Sequence, residues 1–271
     1  MDWLQIFILG FVSGLTEFLP VSAPGHQRLF MHLFGRTEMD PLCHLLLTIG
    51  SFAAVVSACA TTLRRFAIQR RIQNRGSKSH SLENLRCDYR IVKATVIPVG
   101  ITYAVVTLLR IPMPLHWLSI AFGVNGVILF VIGNMRQGNK DSRRMTKLDT
   151  ATMGAFGCLS VIPGISLLGT VTSSAITRGA GRQNALSWAL LCTIPLLILQ
   201  MVLDLFLIIL KGTVLNILGV LCCIGGAILA YFGGLISIRL VRFAVNRSGL
   251  AGFSYYAWGA ALLTFILFLI T

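Results

Sequence analysis

The stretch "GLTEFLPVSAPGHQRLF", residues 14–30, decides how this chain folds. It stands inside a long apolar segment, yet it contains a glutamate, a histidine, an arginine and two prolines. Proline removes a backbone donor and clashes with the preceding helical turn. The stretch therefore predicts a break in the apolar segment 3–34, and polar groups placed at such a depth are a strong indication of function.

The composition of the chain is that of an integral membrane protein. Hydrophobic residues make up 55% of the 271 residues and charged residues only 12%, whereas soluble domains carry about 25% charged residues. Six segments are apolar over about the 20 residues that a membrane-spanning helix requires. We predict an all-α polytopic membrane protein, one integral membrane domain over residues 1–271, with spans at 42–63, 91–110, 115–135, 185–210, 213–238 and 250–270.

The net charge of +14 is distributed unevenly between the segments that connect these spans. Nineteen of the 23 Lys and Arg residues fall on one side of the predicted membrane, mainly in loops at 64–93, 136–148 and 239–249, and four fall on the other. The positive-inside rule assigns the larger group to the cytoplasm, which puts both termini and the turn at 111–114 outside. The basic loops then need no nucleic-acid partner.

A second break, "LSVIPGISLLGT" at residues 159–170, interrupts the apolar segment 149–177 with a proline and a glycine. "LPVS" in the first break matches "IPGIS" in the second, and "LLLTIG" matches "LLCTIP" further on, at offsets of 143 and 145 residues. We therefore predict two re-entrant helix pairs in an inverted-topology repeat, approximately 1–135 and 149–271. Such repeats form their site near the midplane, where the two halves meet.

Glu17 and His26 are the candidate catalytic residues of the first break. Burying a carboxylate in a membrane is costly, and function is the usual explanation. Glu17 could act as a general base or hold a divalent cation. His26 could be a nucleophile, a general acid or a donor to phosphate. The alternatives are a structural carboxylate bonded to the broken helix and an interfacial histidine without a role.

Ser22 and Ser166 occupy equivalent places in the two breaks, so their hydroxyls could donate to a phosphate or only cap the half-helices. Arg28 could meet an anionic headgroup or lie at the membrane interface. Asp204 could line the site, but helix packing or an interfacial role explains it equally well. Further, weaker candidates are His44, Arg178 and Arg182. The remaining histidines are expected at ordinary surface or interface positions: His32, His80 and His116.

"GLTEFLPVSAPGH" resembles the signature E-G-L-T-E-F-L-P-V-S-S-T-G-H of the undecaprenyl-pyrophosphate phosphatases, the bacitracin-resistance (BacA/UppP) family. "PGISLLGT" stands where that family has P-G-x-S-R-S-G, and "GRQNALSWALLCTIP" (181–195) continues the register, so the resemblance covers essentially the whole chain. It implies a bacterial plasma-membrane enzyme that removes the terminal phosphate of a polyprenyl pyrophosphate at the outer face, using Mg²⁺ or Ca²⁺ held in part by Glu17. The residues expected to bind the substrate are Ser22, Gly25, Arg28, Gly164 and Ser166.

The chain departs from the family pattern at polar motif positions, where a glutamate, a serine, a threonine, an arginine, a serine and a glutamate are replaced, in that order, by Ser13, Ala23, Pro24, Leu167, Leu168 and Ser187. Leucine cannot form the bidentate phosphate contacts of the family's arginine. The leading hypothesis is a phosphatase that recycles the cell-wall lipid carrier, with His26 as nucleophile and Glu17 as base. The alternatives are a member that only binds or translocates a polyprenyl phosphate, or an accessory membrane subunit. A homo-oligomer is compatible with each.

Overall fold

The computed structural model describes residues 1–73, 80–109, 114–136, 138–211, 217–247 and 249–270. Within these ranges, six helices are long and apolar enough to cross a membrane, which confirms the predicted all-α membrane protein. The predicted outer turn at 111–114 lies outside the described residues except for Pro114.

Eleven α-helices are formed by the described residues. In chain order they are α1 (Trp3–Glu17), α2 (Ala23–Leu33), α3 (Pro41–Ala58), α4 (Ala60–Gln73), α5 (His80–Leu109), α6 (Leu115–Asn134), α7 (Lys147–Cys158), α8 (Leu167–Thr177), α9 (Arg182–Lys211), α10 (Ile217–Asn246) and α11 (Gly252–Ile270). The six candidate membrane spans belong to α3, α5, α6, α9, α10 and α11.

The two predicted breaks separate short helices. α1 ends at Glu17 and α2 begins after Ser22, with Pro24 in the first helical turn, where proline is tolerated because that N–H has no intrahelical partner. α7 and α8 are separated by a 3₁₀ turn and by Pro163. These four helices have between 11 and 15 residues each, fewer than the roughly 20 that a span requires.

The structure corrects the bounds of the basic connecting segments. The predicted span 42–63 divides at Cys59 into α3 and α4, and most of the described part of the predicted loop 64–93 is helical. α10 likewise continues to Asn246, beyond the predicted end at 238. Lysine and arginine are good helix formers, so the rise in charge marks where the apolar region ends and not where the helix ends.

Small residues allow α1 to pack directly on α10. A Cβ atom at Gly10 would lie 2.3 Å from the carbonyl oxygen of Gly226, and one at Gly14 would lie 2.0 Å from that of Ala230. Close backbone approach at small residues is a common basis of helix packing in membranes. This contact holds α1 against α10 and so positions Glu17 and the first break.

Candidate functional site

The two breaks meet beside the middle of α6, where Asn125 is completely buried. Its amide nitrogen donates to the carbonyl oxygen of Pro20 at 2.9 Å, and its amide oxygen accepts from the backbone N–H of Ser166 at 3.0 Å. One side chain therefore satisfies a backbone acceptor of the first break and a backbone donor of the second. Unpaired backbone groups at this depth would be strongly unfavourable.

Ser22 joins the first break to the second. Its hydroxyl oxygen accepts from the backbone N–H of Gly25 at 3.3 Å and from that of Gly164 at 3.0 Å. Ser22 has φ +71°, the one positive φ among the described non-glycine residues, and strain of this kind is concentrated at functional sites. Among the described residues, none accepts the proton of this hydroxyl.

Ser166 is used differently from its counterpart. It caps α8 by accepting from the N–H of Gly169 at 3.1 Å, and it donates its own proton to the carbonyl oxygen of Leu19 at 3.3 Å. Both breaks thus place a serine at a helix N-terminus, but of the two serines only Ser166 donates its proton to a described residue.

Gly25 and Gly164 allow the breaks to approach each other. A Cβ atom on Gly25 would lie 2.7 Å from the backbone nitrogen of Gly164 and 2.8 Å from the Phe122 ring. Gly164 has φ +105°, which other residues rarely adopt. The contact between the breaks therefore depends on glycine at both positions.

His26 lies in the first turn of α2, with 3% of its surface exposed. Its Nδ1 lies 2.8 Å from the carbonyl oxygen of Ser22, and its Nε2 lies 2.8 Å from the hydroxyl of Tyr256 on α11. The ring packs edge-on against Phe122, with centroids 5.1 Å apart. These contacts fix both the position and the orientation of the imidazole.

Glu17 lies on the other side of the first break. It is partly buried at the end of α1 and interacts electrostatically with His44 on α3. One helical turn before Glu17, the buried Ser13 stands at the position of the family's first glutamate. Its hydroxyl accepts from the amide of Gln27 at 3.0 Å. A neutral contact between α1 and α2 therefore stands where the family pattern has its first glutamate.

His44 and Asp204, two separate candidates in the sequence, form a pair in the structure. Nδ1 of His44 lies 2.8 Å from the Asp204 carboxylate, and its Nε2 lies 3.0 Å from the Gln200 amide nitrogen. Asp204 and Gln200 are one turn apart on α9, so they present one face to α3. Three ionisable groups therefore lie between α1, α3 and α9: Glu17, His44 and Asp204.

The candidate arginines do not join this centre. Arg178 donates to Asp149 at 2.6 Å, and Lys140 donates to the same carboxylate at 3.2 Å. Burial would raise the pKa of Asp149, but hydrogen bonds from Thr146, Arg178 and Lys140 outweigh it and hold the pKa well below its usual range. Arg182 donates to the carbonyl oxygen of Met135 at 2.9 Å.

Arg28 and the other described histidines are not among the residues that join the two breaks. Arg28 is exposed on α2 and is attracted to Glu38. His116 packs against Trp117 and Phe268, and His32 is partly buried in the last turn of α2. The side chain of His80 lies outside the described residues.

A resident divalent cation does not fit the donors of this site. Among the described residues, no group of three or more His, Cys, Asp or Glu side chains could hold a metal ion. Glu17 interacts with His44, which is already hydrogen-bonded to Asp204. Mg²⁺ and Ca²⁺ require several oxygen ligands, and one carboxylate supplies at most two.

Fold and site together define a polytopic membrane protein in which two broken helix pairs meet at a buried serine–histidine centre. The chain belongs to the family described as "Bacitracin resistance protein BacA", which matches residues 6–263. Over 262 residues it is 27% identical to an undecaprenyl-diphosphatase of Treponema denticola, and the match covers 94% of each chain. It is 28% identical to undecaprenyl-diphosphatase 3 of Bacillus cereus, with 98% of each chain covered.

A further relative confirms the extent of the match. An undecaprenyl-diphosphatase of Carboxydothermus hydrogenoformans is 28% identical over 95% of this chain and 94% of its own length. The similarity is therefore not confined to the first motif, and the resemblance noted from the sequence is confirmed as family membership.

Three features of the site were missed in the sequence. The role of Asn125 could have been predicted, since an amide in the middle of an apolar span indicates a buried hydrogen bond. Tyr256 carried no such signal, because a tyrosine in an apolar segment is also typical of a membrane interface. The pairing of His44 with Asp204 joins residues 160 positions apart, and no local pattern predicts it.

Proposed function

We propose that this chain removes the terminal phosphate of a polyprenyl pyrophosphate of the undecaprenyl class, and so returns the lipid carrier to cell-wall synthesis. The observation that carries the proposal is the position of His26, a buried imidazole held by the carbonyl oxygen of Ser22 at the meeting point of the two breaks. It occurs in a chain related over nearly its whole length to proteins named undecaprenyl-diphosphatase.

The meeting point suits an anionic headgroup. α2 and α8 both begin there, and the N-terminus of a helix carries a partial positive charge and directs N–H groups toward anions. Ser22 is proposed to donate its hydroxyl proton to a phosphate oxygen. Gly25 and Gly164 keep the backbone close to the substrate, and Ser166 supports the second break. Arg28 is proposed to contact the headgroup from the rim.

Two residues carry the proposed chemistry. Nε2 of His26 attacks the terminal phosphorus, the bond to the bridging oxygen breaks, and the polyprenyl monophosphate leaves with the electron pair of that bond. Glu17 then accepts a proton from a water molecule, whose oxygen attacks the phosphohistidine. The N–P bond breaks, inorganic phosphate leaves, and His26 is regenerated.

The divalent cation implied by the family resemblance would bind together with the substrate. Mg²⁺ or Ca²⁺ would take most of its ligands from pyrophosphate oxygens, with Glu17 as the protein's contribution. The donors of the described residues do not form a resident site for it.

The proposed membrane arrangement has both termini outside and the basic segments in the cytoplasm, with each break entering as a re-entrant pair. The re-entrant breaks are supported by the position of Asn125 in the middle of a 20-residue spanning helix, in contact with both breaks. The assignment of sides is supported by the distribution of Lys and Arg in the sequence. The equivalent helix caps of Ser22 and Ser166 support an inverted repeat of about 1–135 and 149–271.

The test is phosphate release from undecaprenyl pyrophosphate by the purified protein in detergent, with Mg²⁺, with Ca²⁺ and with EDTA. Glu17→Gln and His26→Ala should each lower kcat by at least about 10²-fold, while His116→Ala, a histidine outside the site, should not change it. A wild-type protein that binds the lipid without releasing phosphate would contradict the proposal and favour a binding or translocating protein.

A further inference from the structure

The carbonyl of Ser22 determines which nitrogen of His26 carries a proton. A carbonyl oxygen only accepts hydrogen bonds, and this one lies 2.8 Å from Nδ1. Nδ1 therefore carries a proton in the neutral and in the charged ring. The lone pair of the neutral imidazole is on Nε2, which is the atom that can attack phosphorus or accept a proton.

The hydroxyl of Tyr256 is hydrogen-bonded to this nitrogen. It lies 2.8 Å from Nε2, and in the neutral state of His26 the hydroxyl must be the donor. The two rings are also stacked, with centroids 5.6 Å apart and planes 16° from parallel. His26 is almost inaccessible, whereas Tyr256 is 50% exposed, so the tyrosine stands between the reactive nitrogen and the surroundings.

The packing of α11 on α6 places Tyr256 at the level of the two breaks. Near one end of the pair, Ser119 donates to the carbonyl oxygen of Ala261 at 2.8 Å. Near the other end, a Cβ atom on Gly133 would lie 2.5 Å from the backbone nitrogen of Ala251. Tyr256 is midway between these contacts, opposite the part of α6 that holds Asn125.

We propose that Tyr256 is a positioning residue for the nucleophile: its hydroxyl holds Nε2 of His26 in the attacking orientation and uncovers it when the substrate arrives. This inference rests on the proposed function. No bond is made or broken by the tyrosine. Its O–H exchanges one acceptor, Nε2, for an oxygen of water or of the entering phosphate, and its exposed edge leaves room for that rotation.

The chain supplies a matched control at the adjacent position. Tyr255 is 65% exposed, and its ring packs edge-on against Trp258, 5.8 Å away, rather than against His26. Tyr256→Phe and Tyr255→Phe each remove one hydroxyl and keep the ring. Because both ring contacts are retained, both variants should fold. Only Tyr256→Phe should lower the unfolding midpoint in detergent, because it leaves Nε2 of the buried His26 without its donor.

The kinetic test compares kcat and KM for undecaprenyl pyrophosphate. Tyr256→Phe should lower kcat about tenfold, the order expected for one hydrogen bond, and leave KM within about twofold. Tyr255→Phe should change neither. An unchanged kcat in Tyr256→Phe, or an equal loss in both variants, would overturn the inference.

A second readout does not depend on turnover. Diethyl pyrocarbonate acylates unprotonated imidazole nitrogens, and mass spectrometry of the peptide that contains residue 26 gives the rate. Tyr256→Phe should be acylated at His26 several-fold faster than the wild type, and Tyr255→Phe at the wild-type rate. Equal rates in all three proteins would overturn the inference. If the wild type releases no phosphate, the proposed function fails, and the acylation rates alone decide whether Tyr256 covers Nε2.

Discussion

The carboxylate of Asp204 lies 2.8 Å from Nδ1 of His44 and joins α9 to α3 within the interior of the membrane domain. The Asp204 side chain is 9% exposed, so the pair is largely removed from water. Removing one partner of a buried pair leaves the other without its hydrogen bond, and that loss is larger than for an exposed pair.

Asp204→Ala is therefore expected to lower the free energy of unfolding by about 1–3 kcal/mol, measured by denaturation in mixed detergent micelles. Glu83→Gln is the control, because Glu83 is 62% exposed and lies 3.8 Å from Arg143, and exposed pairs contribute about 0–1 kcal/mol. Equal effects of the two substitutions would show that the His44–Asp204 pair does not hold α3 to α9.

Asn125→Ala removes the side chain that bonds both breaks. It leaves the carbonyl of Pro20 and the N–H of Ser166 without a partner, so we expect a loss of roughly 2–4 kcal/mol in the free energy of unfolding. Asn134→Ala is the matched control on the same helix, since Asn134 is exposed and bonds only its own helix. Wild-type stability in Asn125→Ala would contradict the role assigned to this residue.

Gly25→Ala tests the contact between the breaks. The added Cβ would lie within 3 Å of the backbone of Gly164 and of the Phe122 ring, and overpacking of this kind typically lowers stability by about 1–3 kcal/mol. Phosphate release should fall with it, because the breaks would be forced apart. Gly123→Ala, with no atom within 4 Å of its Cβ, should leave both quantities unchanged or slightly improved.

Asp149 should make the free energy of unfolding fall at acid pH. The hydrogen bonds from Thr146, Arg178 and Lys140 lower the pKa of this carboxyl below its unfolded value, so its stabilising contribution is complete above about pH 4. It is lost as the pH falls below that value toward the folded pKa. The difference in unfolding free energy between wild type and Asp149→Asn should therefore shrink as the pH falls below about 4, and a constant difference there would contradict the network.

The architecture was accessible from the sequence because two simple signals determine it. Apolar length marked the six spans, and Pro20, Pro24 and Pro163 marked the breaks. Helix ends were less accessible, since the basic residues that close the apolar segments also continue the helices. The end of α10 at Asn246 follows from backbone hydrogen bonding and not from hydropathy.

The site was accessible only in its first motif. Glu17, Ser22 and His26 stand in a recognisable stretch, but their partners come from other helices. Tyr256 is 230 residues from His26 in the sequence, and the different uses of Ser22 and Ser166 depend on which carbonyl lies within reach of each hydroxyl. Sequence equivalence predicted the same role for the two serines, whereas only Ser166 donates its proton to a described residue.

The most direct test of the proposed chemistry is to trap the phosphorylated enzyme. Glu17→Gln, incubated with undecaprenyl pyrophosphate labelled in its terminal phosphate, should accumulate label on the protein, because attack by His26 proceeds while activation of water does not. The label should be stable in base, labile in acid, located at residue 26, and absent from a Glu17→Gln/His26→Ala double variant. Turnover by the wild type, with no label on Glu17→Gln and full activity in His26→Ala, would contradict the assignment of His26 as the nucleophile.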